Sequence, residues 1–211
     1  MLTLCLGNLS AFPSMLLADG DKPIYFLKSY MKYSHQENLI KMLDLLLKMH
    51  NSSHSELKQI AIYEGPGLFT SLRIGYALAK AFYLKNPDYR LFTLNSLDVL
   101  ASLKEEALYI PCLPAQKGEV FYATYKNGKR ESNYSVAKID ELRELYPDYV
   151  LEVFSEFPDA ETLFRAFSKM SEGLQPEDPR AAEPFYIKLP DAYMKKKENN
   201  LLSLSPLVSF Y

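Results

Sequence analysis

The stretch Glu64 to Phe82, EGPGLFTSLRIGYALAKAF, constrains the fold more than any other. The apolar run before it, Leu57 to Tyr63, predicts a strand, and the run Ser71 to Leu84 predicts a helix. Between them Gly65, Pro66 and Gly67 allow the backbone to turn sharply. A strand passing at once into a helix is half of a crossover unit, which commits the chain to parallel pairing in an α/β sheet. A helix that starts on a glycine turn presents free N–H groups and a partial positive charge, so Gly65, Pro66 and Gly67 could form a phosphate-type loop. Within the helix, Ser71, Gly75 and Ala79 recur at four-residue spacing, with Ala77 and Ala81 as a second small track. Glycine inside a helix costs about 0.8–1.0 kcal/mol relative to alanine. Gly75 therefore predicts the close approach of another backbone, and Arg73 is either a surface cation or a ligand for an interface carboxylate.

The flanking segments extend this pattern. Leu2 to Leu6, Pro13 to Ala18 and Ile24 to Met31 read as three strands, with Asp19-Gly20-Asp21 as a hairpin turn, and no carboxylate precedes Asp19. Ser34 and Glu37 have the spacing of a capping box for a helix running to Met49. Its polar residues Glu37, Lys41, Asp44 and Lys48 form a narrow stripe. Its apolar residues, among them Leu39, Ile40, Leu43 and Leu46, cover roughly 220°, where a helix lying on one sheet needs only about 100°. Such a helix is either sandwiched within its own chain or half of a protein interface. A strand at Arg90 to Leu94 and a helix SLDVLASLKEE capped by Asn95 or Ser96 complete a βββαβαβα order. Beyond it, Ala107 to Pro114 and Glu119 to Lys126 read as strands, with turns at Lys117-Gly118 and Asn127-Gly128. A helix at Ile139 to Tyr146, a strand at Tyr149 to Phe154 and a helix from Asp159 to Ser171 follow. This divides the chain into a first lobe, residues 1–104, a second lobe, 105–190, and a tail, 191–211. Lys117 and Glu119 are candidates for contacts across the cleft between lobes, although a solvated turn accounts for them better.

Several function classes are disfavoured. The formal net charge is −2, so no global field draws the chain to nucleic acid or an anionic membrane. Cys5 and Cys112 are too few for a disulfide framework or a cysteine zinc site and read as buried thiols. Of the three histidines, His35 sits in a helix's first turn, and His50 and His54 lie among turn formers without a third ligand nearby. No metal-ligand set and no catalytic residue is assigned, and no GxSxG or HExxH motif occurs. The apolar opening lacks a basic n-region and is interrupted by Gly7, Asn8 and Pro13, and no run reaches the ~18 apolar residues of a membrane span. A cytoplasmic protein is expected. Lys195-Lys196-Lys197 reads as a solvated run.

Five stretches in order resemble one family. GPGLFTSLRIGYALAKAF is similar to the GPGSFTGLRIGLATAKGLA signature of the TsaB (YeaZ) proteins. SHQENLIKMLDLLL from Ser34, LNSLDVLA from Leu94, PAQKGEVFYATY from Pro114 and EPFYIK from Glu183 resemble that family's HSExLLPxIDxLL, VSSLEALA, DARRGEVYxALY and EPxYLR. The resemblance implies a two-lobe ASKHA fold (actin/Hsp70/sugar-kinase-like, RNase H-like), with the second lobe smaller and degenerate. It implies a non-catalytic partner of TsaD, the enzyme that installs N6-threonylcarbamoyladenosine beside the anticodon of tRNA. A TsaE-like ATPase would join that complex, a homodimer would form when TsaD is absent, and tRNA would be met only indirectly.

On this resemblance the partner interface is expected on the two helices, at Leu39, Leu43, Leu46, Ser71, Arg73, Ile74, Gly75, Leu78 and Ala79. Replacing Gly75 with leucine would then weaken the complex and leave the lobes folded. Two departures bear on chemistry. TsaD carries an iron-binding HxxxH pair after its glycine-turn helix, where this chain has Asn95-Ser96-Leu97-Asp98. An ASKHA ATPase needs an early aspartate to hold Mg²⁺ against phosphates, and Cys5 to Ser10 supplies no carboxylate. No cofactor is therefore expected on this chain alone, with ATP or ADP and Mg²⁺ left to a multi-subunit interface. The alternatives are a stand-alone ASKHA-type phosphotransferase or glycoprotease-like enzyme, and a purely structural homodimer.

Overall fold

The computed structural model of the protein describes residues 1–30 and 35–187, and the backbone alone over 35–38. The Ser34–Glu37 capping box, the Lys195–Lys197 run and the apolar residues after it lie outside the described residues.

The first sheet has five strands in the order β3-β2-β1-β4-β5. These are β1 (Leu2–Gly7), β2 (Ser14–Asp19), β3 (Lys22–Lys28), β4 (Leu57–Gly65) and β5 (Arg90–Asn95). β1 pairs antiparallel with β2 and parallel with β4, which pairs parallel with β5. The meander thus passes into crossover units as the sequence pattern requires. Two of the crossovers are helical: α1 (His35–Met49) lies between β3 and β4, and α2 (Phe69–Lys85) between β4 and β5. β1 is buried along its whole length because helices cover both faces of the sheet. Leu4, Leu6, Ile60 and Ile62 face a core shared with α1 and α2. Cys5, Ala61 and Tyr63, at the alternate positions, face the opposite core.

That opposite core is closed by α3 (Ser96–Ser102) and by α5 (Ala160–Met170), to which the chain returns after building its second sheet. Asp159 caps α5, accepting from the Thr162 amide at 3.1 Å. Ser14 Oγ accepts from the Ala160 amide at 2.9 Å, and Tyr63 Oη donates to the Asp159 carbonyl at 2.9 Å.

The second sheet centres on β6 (Leu108–Pro114). β7 (Glu119–Tyr122) and β8 (Tyr125–Lys126) run antiparallel to β6 in one register. They are separate strands where one was expected, because Pro111 falls opposite Ala123 and has no N–H to give the ladder. On the strand's other edge the Thr124 amide bonds to Ser132 Oγ at 2.9 Å. β9 (Lys129–Arg130) completes a hairpin whose turn residues Asn127 and Gly128 have φ of 50° and 73°, as a type I′ turn demands. β10 (Ser135–Lys138), α4 (Ile139–Leu145) and β11 (Val150–Val153) finish the lobe. β11 lies parallel to β6. α3 stops at Ser102, short of the expected end, where Leu103 and Lys104 tighten into bonds three residues back.

One carboxylate ties the two sheets together. Asp98, in α3, accepts hydrogen bonds from Tyr125 Oη at 2.5 Å and Tyr134 Oη at 2.7 Å. Arg130 lies over the Tyr134 ring at 4.1 Å from its centroid.

Candidate protein-binding surface

The Gly65-Pro66-Gly67 turn is packed by its own chain. Gly65 has φ of +134°, and a Cβ there would stand 2.4 Å from the Phe185 carbonyl oxygen. A Cβ on Gly67 would stand 2.7 Å from Leu9. The Leu68 amide, at the start of α2, donates to the Leu9 carbonyl at 2.7 Å, and Ser96 Oγ donates to the Pro66 carbonyl at 3.0 Å. Asn8 bridges the Tyr63 backbone, donating to its carbonyl at 3.1 Å and accepting from its amide at 3.0 Å. The first hairpin therefore spends its polar atoms on the fold, and residues 1–18 offer no carboxylate to a phosphate-bound cation. These residues do not fit a magnesium nucleotide held by this chain alone.

Glu64, which the sequence pattern did not single out, sits half-buried at the end of β4 and accepts from Asn95 Nδ2 at 2.9 Å. Burial pushes its carboxyl above the usual range; the Asn95 bond opposes this, and Glu177 and Asp98 add to the rise. Among the described residues no three His, Cys, Asp or Glu side chains converge as a metal site. His54 lies 3.4 Å from Asp44, and His50 contacts Ser52 at 2.6 Å. The Lys117-Gly118 turn is exposed, with positive φ at both residues.

The open apolar surface lies on α1 and α2, but most of the residues expected to carry it do not face it. Ser71, Gly75 and Ala79 are buried against the sheet and the first hairpin. Ser71 Oγ donates to the Ser10 carbonyl at 2.8 Å, and the Ala79 carbonyl accepts from Tyr89 Oη at 2.6 Å. The close approach that Gly75 predicts is made by the chain itself, and by a side chain rather than a backbone: that of Asn8. Leu39, Leu43 and Leu46 likewise belong to the core. The correction has a geometric cause. Positions two apart on a helix differ by about 200°, so 73-77-81 lies opposite 71-75-79. The second small track, Ala77 and Ala81, is the exposed one, and only Arg73, Ile74 and Leu78 of the expected α2 set lie on its side.

Two adjoining hollows of about 620 and 390 Å³ run between the helices and share Ile40, Leu78 and Ala81 in their walls. Leu39 and Leu43 reach them from the core, while Phe69 and Arg73 stand at one end and Lys85 and Asn86 at the other. Ile40 is 56% exposed, and Leu45 and Met49 on α1 are also open to solvent. The excess apolar width of α1 is thus only partly absorbed by its own chain.

Fold and surface together define a class: an α/β protein of two sheets whose glycine turn is closed by its own chain. A family model described as "TsaD: tRNA N6-adenosine threonylcarbamoyltransferase" matches residues 29–171, more than half of the chain. The chain belongs to that family. Its TsaB (YeaZ) likeness recurs among individual relatives. It is 30% identical over 107 residues to the tRNA threonylcarbamoyladenosine biosynthesis protein TsaB of Bacillus subtilis, a match covering 49% of this chain and 46% of that one. It is 38% identical over 66 residues to the uncharacterized protein MG208 homolog of Mycoplasma pneumoniae, covering 29% of this chain and 34% of that one. The matches thus span less than half the length of either of these relatives. YeaZ from Pseudomonas aeruginosa superposes with a TM-score of 0.70 at 19% identity, covering 88% of this chain and 99% of that one. No helix among the described residues is long and apolar enough to cross a membrane.

Proposed function

We propose that this chain is a scaffold and activator subunit in the formation of N6-threonylcarbamoyladenosine on tRNA, with no catalysis of its own. It binds a TsaD-like catalytic subunit, and through it a TsaE-like ATPase, and meets tRNA only through these partners. The observation that carries this reading is the apolar groove between α1 and α2, open along the track Arg73, Ala77 and Ala81. An apolar surface of this kind is stabilised by covering it with another protein. The rest of the site supports it. Where TsaD has its iron-binding pair, Asn95 caps α3 by accepting from the Leu97 amide at 3.0 Å, and Ser96 bonds to Pro66. ATP or ADP with Mg²⁺ would be held only where subunits meet. A second copy of the chain would take the same face when TsaD is absent.

Size-exclusion chromatography with light scattering, with and without the cognate TsaD-like subunit, tests this. A heterodimer that Ala77→Glu abolishes is expected. Absence of a complex, or a complex indifferent to that substitution, would overturn the interface. Metal-dependent ATP hydrolysis that survives rigorous purification of the chain alone would overturn the non-catalytic assignment.

A further inference from the structure

We infer that Arg73 and Lys85 make the groove between α1 and α2 selective for an apolar partner helix with carboxylates toward both ends, and select against a second copy of this chain. This rests on the function proposed above and names the chemistry of the partner's face. The two cations stand at opposite ends of the groove: Arg73 lines the larger hollow and Lys85, in the last turn of α2, the smaller. At 1.5 Å per residue they lie about 18 Å apart along α2. Both are exposed, and among the described residues neither has a carboxylate partner. Arg73 is also held in place. Its guanidinium lies 5.3 Å from the Phe69 ring, and Phe69 packs on Tyr186 with ring centroids 5.0 Å apart. A guanidinium stacked on an aromatic face keeps its N–H fork available and loses little freedom when a carboxylate arrives.

Charge and polarity along the walls decide the occupant. Between the cations the walls carry Ile40, Ile74, Ala77, Leu78 and Ala81, and the described residues lining both hollows include no Asp or Glu. Asp44, on α1, is turned to His54 at 3.4 Å. The chain as a whole has a formal net charge of −2, so the cationic ends run against its overall balance. The apolar floor offers nothing to a nucleic-acid backbone, whereas a groove between two helices takes the apolar face of a third. Such a helix meets both cations when acidic residues stand about twelve positions apart on it, with apolar residues between. A second copy is a poorer match by symmetry. A two-fold pair presents the same patch from both sides, so it would bring two more cations and no described carboxylate to meet them. Like charges set across an interface select against the wrong partner.

The test uses the full chain. Titration calorimetry with the TsaD-like subunit is run at about 0.05 and 0.5 M NaCl on wild type, Arg73→Gln and Lys85→Gln. Both positions are exposed, so the substitutions leave the melting temperature nearly unchanged. The wild-type complex is expected to weaken about tenfold across that salt range. Arg73→Gln should weaken the low-salt complex about tenfold and flatten its salt dependence, and Lys85→Gln should act in the same direction. A complex indifferent to salt, or as salt-sensitive in both variants as in wild type, would overturn the inference and leave the proposed function standing. An effect at Arg73 alone would overturn the two-ended match. Light scattering on the chain alone gives the second reading: Arg73→Gln should strengthen self-association several-fold at low salt. Self-association that this variant weakens or leaves unchanged would overturn the selectivity, because Arg73 would then find its carboxylate on a second copy or repel nothing. If no complex forms with the TsaD-like subunit while the variant self-associates more tightly, the proposed function fails and the selection against a second copy stands.

Discussion

The side chain of Asn8 lies against the backbone of Gly75: a Cβ on the glycine would stand 2.6 Å from Asn8 Nδ2 and 2.7 Å from Asn8 Cβ. Asn8 cannot easily yield, since its amide is bonded at both ends to the Tyr63 backbone. Overpacking a site of this kind costs about 1–3 kcal/mol, against which alanine returns only about 0.8–1.0 kcal/mol of helix propensity. Gly75→Ala should therefore lower stability by about 1 kcal/mol, and Gly75→Leu should lower it severely. Urea unfolding followed by circular dichroism measures both. A Gly75→Leu protein as stable as wild type would show that the first hairpin moves aside freely.

The exposed track of α2 should behave in the opposite way. Ala77 and Ala81 are open to solvent, so glutamate at either position leaves the core intact and the melting temperature nearly unchanged. The same change places a charge on an apolar binding face and should weaken association with the TsaD-like subunit at least tenfold, about 1.4 kcal/mol. Ala79→Glu, only two residues away, buries the charge in the core and should unfold the chain. Titration calorimetry and thermal melts on the three variants separate these outcomes. Equal effects at 77 and 79 would refute the assignment of faces.

Much of this architecture is legible in the sequence because it depends on local patterns. The meander, the two long helices and the Asn127-Gly128 turn follow from periodicity and turn chemistry alone. The candidate surface is less legible. Small residues at four-residue spacing show that something packs close, but the pattern is the same whether that neighbour is another protein or Asn8 of the same chain. Only the three-dimensional path of the first hairpin decides it. Glu64 escaped notice for a similar reason: its environment is built from Asn95, Asp98 and Glu177, which are distant in sequence. Nor does the sequence of Ala160–Met170 show which sheet that helix covers. The split of β7 from β8 could have been read, since Pro111 is visible and a proline inside a paired strand must break its ladder.

Asp98 is expected to hold the two lobes in register. It accepts from two tyrosine hydroxyls of the second lobe, and both tyrosines are largely withdrawn from solvent. Asp98→Ala would leave both hydroxyls without their acceptor, at a cost of about 2–4 kcal/mol. If the carboxylate acts through these bonds, the penalty should shrink in a Tyr125→Phe, Tyr134→Phe background. A double-mutant cycle read by urea unfolding measures that coupling. Full additivity would mean that Asp98 contributes by some other route.

Glu64 should make stability depend on pH. Its carboxyl is raised in the folded chain, first by burial, so the folded state holds its proton more tightly than the unfolded state does. Between the ordinary glutamate range, near ~4.3, and the raised folded value, the folded state binds more protons, and stability falls as pH rises. Above that window the cost of the buried charge is fully present, and below it the cost is gone. Glu64→Gln removes the charge and keeps an oxygen to accept from Asn95 Nδ2. The variant should therefore melt higher than wild type at pH 7, and the difference should shrink toward zero as pH falls through the window. Comparing the two proteins at each pH cancels the groups they share. A difference that stays constant from pH 4 to pH 7, or a variant less stable at pH 7, would show that burial does not dominate the Glu64 environment.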